Sequence, residues 1–454
     1  MTAVRSSVAV FAACWVLASA SPVAQNTFVV FEHVTVIPMD SDRVINDAAV
    51  WVGNDGRISA IGSGASGVGN PPSDRIRIDG RGKFLIPALA EMHAHIPPGD
   101  ASDAMIERTL FLYAANGIGT IRGMLGHPRH LEYRERVARG DLFSPRIYTS
   151  GPSFNGKTAA TPEAAVKAVI EQKAAGYDLL KIHPGVPRAA FDALDAKADE
   201  LGLPFAGHVP LAVGLHRALA AKYKSIDHLD GYVEALAKSP WQSQFFGLNL
   251  VNEVDESRIP ALVAETKAAG TWMVPTQILM ESLLNEESTD AMAQWPEMKY
   301  MPSQTVKNWI EQKNGMTAKV TVPDRQKFLA LRRKILKALL DGGVPFALGS
   351  DAPQWWNVPG FSAHRELKSI VASGFSPFQA LESGTINPAR YFAASTAAGS
   401  VTDGKRADLV LLDANPLERI DNSTKIAGVM LNGRWMSRAD LDAKLEELAK
   451  SRAN

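Results

Sequence analysis

Two histidines stand one residue apart in AEMHAHIPPG (Ala90–Gly99), directly after the apolar run FLIPAL. Alternate residues of a strand face the same side, so His93 and His95 would turn both imidazoles to one place. Imidazole and carboxylate groups suit Zn2+ and similar divalent ions. Other short apolar runs carry residues of the same kind: Lys181 in YDLLKIHPG, His208 in PFAGHVP, His228 in SIDHLDGY and Asp351 in PFALGSDAP. Each alone has an ordinary reading. A single buried histidine is more often a hydrogen-bonded core residue than a ligand, and Asp351 can cap the helix that follows it. Four histidines and an aspartate at the ends of separate apolar runs are much harder to obtain from packing alone.

The elements that must position these side chains follow from the pattern around them. Eight short apolar runs follow one another from FLIPALAEMHAH to PFALGSDAP, both included, and several are separated by amphipathic stretches such as TPEAAVKAVIEQKAAG and PRAAFDALDAKADELG, each closed by Gly. Alternating strands and helices predict a parallel sheet, and eight such units predict an α/β fold, a (β/α)8 TIM-like barrel. In that architecture chemistry collects at the C-terminal ends of the strands, where the quoted residues lie. The ends of the chain read differently. FVVFEHVTVI and AAVWVGNDGRISAIG near the N-terminus, and ADLVLLDANP and IAGVMLNGRWM near the C-terminus, alternate as strands with Asn-Asp-Gly and Asn-Gly turns. They predict a small β-sandwich domain built from residues 26–86 and 396–454, the latter ending in a helix, around a barrel over 87–395. The stretch from Glu281 to Pro323 fits no single unit and reads as an inserted helical lid or a long loop.

Composition narrows the function classes. The 454 residues carry a formal net charge of +0, so no basic field points to nucleic acid, and 46% are hydrophobic, as in ordinary globular proteins. Arg5 followed by VAVFAACWVLASA predicts a signal peptide over residues 1–25, hence a secreted or periplasmic protein. No later run has transmembrane length without charges. The one cysteine, Cys14, falls inside that leader, so a mature chain would have no thiolate and would bind metal through nitrogen and oxygen.

With these segments in view, the chain resembles the amidohydrolase superfamily, in its imidazolonepropionase-like and prolidase-like (Xaa-Pro dipeptidase-type) branch. The resemblance runs through FLIPALAEMHAH, GIGTIRGM, YDLLKIHPG, GLPFAGHVP, SIDHLDG, MVPTQ, LGSDAP, GTINPARYF and GSVTDGKRADLVLLDANPL. The sequence departs from the family at Ala88, usually Gly, and at Gly123, usually acidic. The resemblance implies two divalent metal ions, taken as Zn2+. His93 and His95 would bind the first and His208 and His228 the second, with Lys181 bridging them as a CO2-derived carbamate. Asp351 would bind the first ion and shuttle the proton. It also implies that Tyr232 helps hold the substrate carbonyl oxygen, although an ordinary aromatic at a strand end is an equal reading. His183, His127 and His364 are weaker candidates for substrate contact. The implied substrate is a small-molecule amide with an amino-acid leaving group: a dipeptide, an N-acyl amino acid or an ochratoxin-type amide. The implied assembly is a homo-oligomer. Two alternatives stay open, a mononuclear enzyme that opens a cyclic amide or deaminates a heterocycle, and an inactive scaffold.

Overall fold

A computed structural model describes residues 28–63 and 75–450. The expected leader with Cys14, and most of the Gly62–Asp74 loop, lie outside the described residues. No helix among the described residues is long and apolar enough to cross a membrane.

Both ends of the chain enter one eight-stranded sheet. Its order is Arg434–Ser437, Ile426–Leu431, Leu409–Leu412, Phe84–Pro87, Val29–Val36, Ile45–Val52, Ile58–Ser63, with Ile76–Asp79 added parallel to Val29–Val36. The Asn-Gly turn works as its chemistry dictates. Asn432 and Gly433 both take positive φ, which matches the hairpin twist between Leu431 and Arg434. The sheet curls, because Phe31 and Trp435, on strands four places apart in that order, meet edge to face at 5.3 Å. Between them lies a dry core of Val29, Val34, Val50, Leu85, Leu409 and Met430.

In the middle of the chain the described strands pair only in parallel. Leu89–Ala94, Ile118–Gly123 and Arg146–Thr149 form one sheet; Leu180–Ile182, Phe205–Gly207, Ser225–Asp227 and Trp272–Val274 form another. A bridge from Ser150 to Leu179 links the two. The segment 345–352 bonds on both sides. Met273 N donates to Pro345 O at 2.9 Å, while Met92 N donates to Leu348 O at 2.7 Å and Asp351 N to His93 O at 2.9 Å. Helices follow the strands with the punctuation the sequence shows. Thr161 caps Pro162–Ala175 through the amide of Ala164, and Gly176 and Gly202 close two helices in left-handed conformation.

The stretch from Glu281 to Pro323 is helical: it runs through Gln277–Leu284, Thr289–Met292, a 3-10 turn at Pro296–Tyr300 and Ser303–Thr317. Met292, Met298, Val306 and Trp309 pack there against Trp356, in the loop that follows Asp351. That cluster gives the insertion its own apolar core over the end of the last parallel segment.

Candidate metal centre

The parallel strands bring His93, His95, Lys181, His208, His228 and Asp351 to one place. Asp351 is its hub. One carboxylate oxygen lies 2.6 Å from His95 Nε2 and 3.5 Å from His93 Nε2, and the other lies 3.7 Å from His228 Nδ1. His93, His95 and Asp351 each present a ligand atom, all within 4.8 Å of one another, as one cation requires. The rings of His93 and His228 lie 4.4 Å apart, and those of His208 and His228 4.3 Å. Lys181, fully buried, points its Nζ to within 3.4 Å of His93 Nε2. His183 stands beside His208 with ring centroids 5.1 Å apart.

Several of the imidazoles are held from behind. His208 Nδ1 meets Asp230 Oδ2 at 2.7 Å, and His228 Nδ1 meets Thr276 Oγ1 at 2.9 Å. His93 Nδ1 lies 2.8 Å from Asp227 Oδ2 without hydrogen-bond alignment. This is the arrangement by which outer partners fix the tautomer and direction of a metal-binding histidine. The test of fit is His228 Nε2, a buried nitrogen with no hydrogen-bond partner among the described residues. Such an atom is costly unless something else uses its lone pair or proton. Burial, reinforced by nearby cations, holds His93, His208 and His228 well below the usual histidine range, and the neutral imidazole is the form that binds metal. Burial likewise lowers Lys181 to about 8, against the opposing pull of Asp227 and Asp351.

Buried charged residues are the supports. Arg122 is buried and grips both oxygens of Asp227, at 3.1 and 3.0 Å, as well as Ser225 Oγ and Tyr391 OH. Arg332, also buried, donates to the carbonyls of His228 (2.9 Å) and Pro275 (3.2 Å) and to Gln277 Oε1. Glu91, pushed by burial up to about 8, binds the amide and hydroxyl of Ser350 next to Asp351. These supports hold backbone that is otherwise unfavourable: His228, Thr276 and Asp351 all have positive φ, a conformation non-glycine residues rarely adopt. Gly207 serves the same end by being small. Its φ is +122°, and a Cβ there would come within 2.5 Å of Ile182 O and 2.8 Å of Lys181 Cδ. The only signal in the sequence for these supports was their position, Asp227 and Asp230 flanking His228 in SIDHLDGY.

Three expected site residues lie elsewhere. Tyr232 is corrected: it starts a short helix after Gly231 and points its hydroxyl to Thr266 Oγ1 at 2.7 Å and Met273 Sδ at 3.4 Å, between strand and helix layers. Tyr232→Phe is therefore expected to leave kcat within about twofold and to lower stability by about 0.5–1.5 kcal/mol, the value of one ordinary hydrogen bond. Paired denaturant melts and steady-state kinetics check this, and a large kcat loss without destabilisation would restore the catalytic role. His364 is also corrected. It is buried with both nitrogens committed, Nδ1 to Ser423 Oγ and Nε2 to Asn116 O, each at 2.9 Å. Burial lowers it to about 4, so it is a neutral tie between layers rather than a partner for a substrate carboxylate. His127 caps the helix Pro128–Ala138 through the amide of Arg129 and packs on Gly99, at the rim rather than in the centre.

Comparison with known proteins shows relatives in sequence and in fold. An imidazolonepropionase from Geobacillus sp. (strain WCH70) is 24% identical over 411 residues, covering 83% of this chain and 86% of its own. Among solved structures, a bottromycin amidohydrolase superposes with a TM-score of 0.70 at 20% identity, covering 95% of this chain and 92% of that one. A Xaa-Pro dipeptidase with methionine bound in its active site gives 0.65 at 19% identity, covering 90% of this chain and all of that one (100%). The sequence profile of the Amidohydrolase family matches residues 84–436, from the strand before His93 to the last strand of the terminal sheet, and the chain belongs to that family of metal-dependent hydrolases of carbon–nitrogen bonds.

Proposed function

We propose that this chain is a binuclear metal amidohydrolase that cleaves an amide whose leaving group is an amino acid, in a dipeptide or an N-acyl amino acid. The observation that carries the reading is Lys181. It is buried among His93, Asp227 and Asp351, with its charged form disfavoured, where a permanent ammonium would repel bound cations. In this reading the parallel strands and segment 345–352 form one closed (β/α)8 barrel, with the curled terminal sheet as a β-sandwich beside it.

His93, His95 and Asp351 would hold one ion and His208 and His228 a second, with Lys181, carboxylated, between them. Zn2+ at these positions would polarise the scissile carbonyl and bring the pKa of water near neutrality. The remaining work belongs to the chain. Asp351 accepts the proton of the attacking water and returns it to the amide nitrogen as the carbon–nitrogen bond breaks, so the amine leaves neutral. His95 Nε2, 2.6 Å from the carboxylate, would share the first ion with it. Asp230 and Thr276 keep His208 and His228 turned inward. His183, beside His208, borders the space left for substrate.

The deciding experiment is a hydrolysis screen of dipeptides, N-acyl amino acids and cyclic amides with metal analysis on the same sample. Two metals per chain with turnover of linear amides is the expected result. The compact trio of His93, His95 and Asp351 alone would suffice for a mononuclear enzyme. One metal with turnover confined to cyclic amides would establish that alternative.

A further inference from the structure

We propose that the cleft beside His208 and His228 is an acyl subsite, shaped for a long apolar or aromatic acyl group; this rests on the amide-hydrolase reading above. The cleft has a volume of about 780 Å3 and is bordered by Val209, Leu211, Trp241, Phe245, Phe246 and Asp230. It meets the metal centre at two points. Asp230 is the residue that holds His208 Nδ1, and the Phe246 ring lies 6.1 Å from the His208 ring and 6.0 Å from the His228 ring. The inner end of the cleft is thus formed by Asp230 and Phe246, the two lining residues that touch the imidazoles of the centre.

Its outer rim sets exposed apolar side chains beside the charged Lys238 and Arg258. Trp241 is 69% exposed and Leu211 49%, and Trp241 is the one aromatic among the large hydrophobic side chains that stand exposed on the described surface. Exposed apolar surface around a concavity marks a binding site more often than a single exposed side chain does. The inner wall is held in unfavourable backbone. Phe245 and Phe246 are consecutive bulky residues at φ 47° and 57°, followed by Gly247 at 78°. Bulky residues rarely occupy that region unless their surroundings over-determine it, and such sites cluster where a ligand is gripped. Here Phe245 is clamped between Phe246, 5.3 Å away, and Trp355 of the loop after Asp351, 5.7 Å away. That clamp sets the Phe246 ring beside the two imidazoles.

The placement also decides which half of the substrate enters. The leaving nitrogen must sit at Asp351, whose shortest contact is to His95 Nε2 at 2.6 Å. Phe246 stands on the His208 and His228 side. The group across the carbonyl from the leaving nitrogen is the one that reaches the cleft, so acyl length and apolarity, rather than the amino acid alone, select the substrate.

The test uses N-acetyl, N-hexanoyl and N-decanoyl derivatives of the amino acid that the hydrolysis screen selects, with the metal-loaded full chain. kcat/KM should rise with acyl length, by up to about fourfold for each methylene fully buried. Trp241→Ala and Leu211→Ser, both at exposed positions, should each lower the decanoyl-to-acetyl ratio of kcat/KM by about tenfold. Calorimetric titration of decanoate should show binding with a negative heat-capacity change, weakened in both variants. A flat dependence on acyl length, or an unchanged ratio in both variants, overturns the subsite and leaves the hydrolase reading standing. Failure to cleave any of the three derivatives or any dipeptide removes that reading, and the subsite with it.

Discussion

Asp351→Asn is expected to lower kcat by about 10²-fold or more, the scale of a lost general acid–base group, while the protein stays folded and keeps most of its metal. Asparagine preserves the shape that fills the space between His95 and His93, 2.6 and 3.5 Å from the carboxylate, but it cannot take or release the proton. The backbone amide of Asp351 would still bond His93 O, and Glu91 would still bind Ser350, so the strand end has no reason to move. Metal content, circular dichroism and kcat measured on one preparation make the comparison. Near-normal kcat in a folded, metallated variant would mean that another residue moves the proton.

Lys181→Ala should cost the centre its second ion as well as most of its turnover. Lys181 has no carboxylate to itself: Asp178, three residues before it, is taken by Arg134 at 3.2 Å and the amide of Thr149 at 2.8 Å. With burial lowering it to about 8, the amine is partly neutral near that pH. A neutral amine can add CO2. A nitrogen–carbon bond forms, a proton leaves, and the product is an anion with two oxygens placed to bridge two cations. The variant should bind about one metal per chain. Its kcat should fall by at least the upper end of the ~10–100-fold loss that follows removal of outer partners of metal ligands. Short carboxylic acids such as acetate or propionate should restore part of both by occupying the vacated bridge. A variant that keeps two metals and wild-type rates would sink the proposal, as would a high-resolution map showing unmodified Lys181 beside two fully occupied ions.

The sequence made the residues that cluster here legible because strand periodicity and apolar context speak for them. His93 and His95 sit in a run with no other reason to carry two imidazoles, and Lys181 is a cation in an apolar strand. The supports were illegible for the opposite reason. Arg122 finds Asp227 105 residues later, and Arg332 finds the carbonyl of His228 104 residues earlier, so nothing local marks which group either one holds. Tyr232 misled because the chain turns at Gly231, whose positive φ starts a helix and swings the ring out of the strand direction. His364 drops out because it lies in the helix Phe361–Ala372 with both ring nitrogens bonded to other layers.

The pairing of Phe84–Pro87 with Leu409–Leu412 makes the order of synthesis matter. The hairpin strands Val29–Val36, Ile45–Val52 and Ile58–Ser63 can assemble early, since their partners are neighbours in sequence. The strand that completes them on the other side leaves the ribosome some 325 residues after Phe84 (409 − 84), roughly 16–65 s at the usual pace of elongation. Throughout that interval an apolar strand edge waits unpaired while the middle of the chain is still being made. Joining the C-terminal strands is thus a late, long-range closure, and the nascent chain depends on that closure outrunning association between neighbouring copies through the open edge.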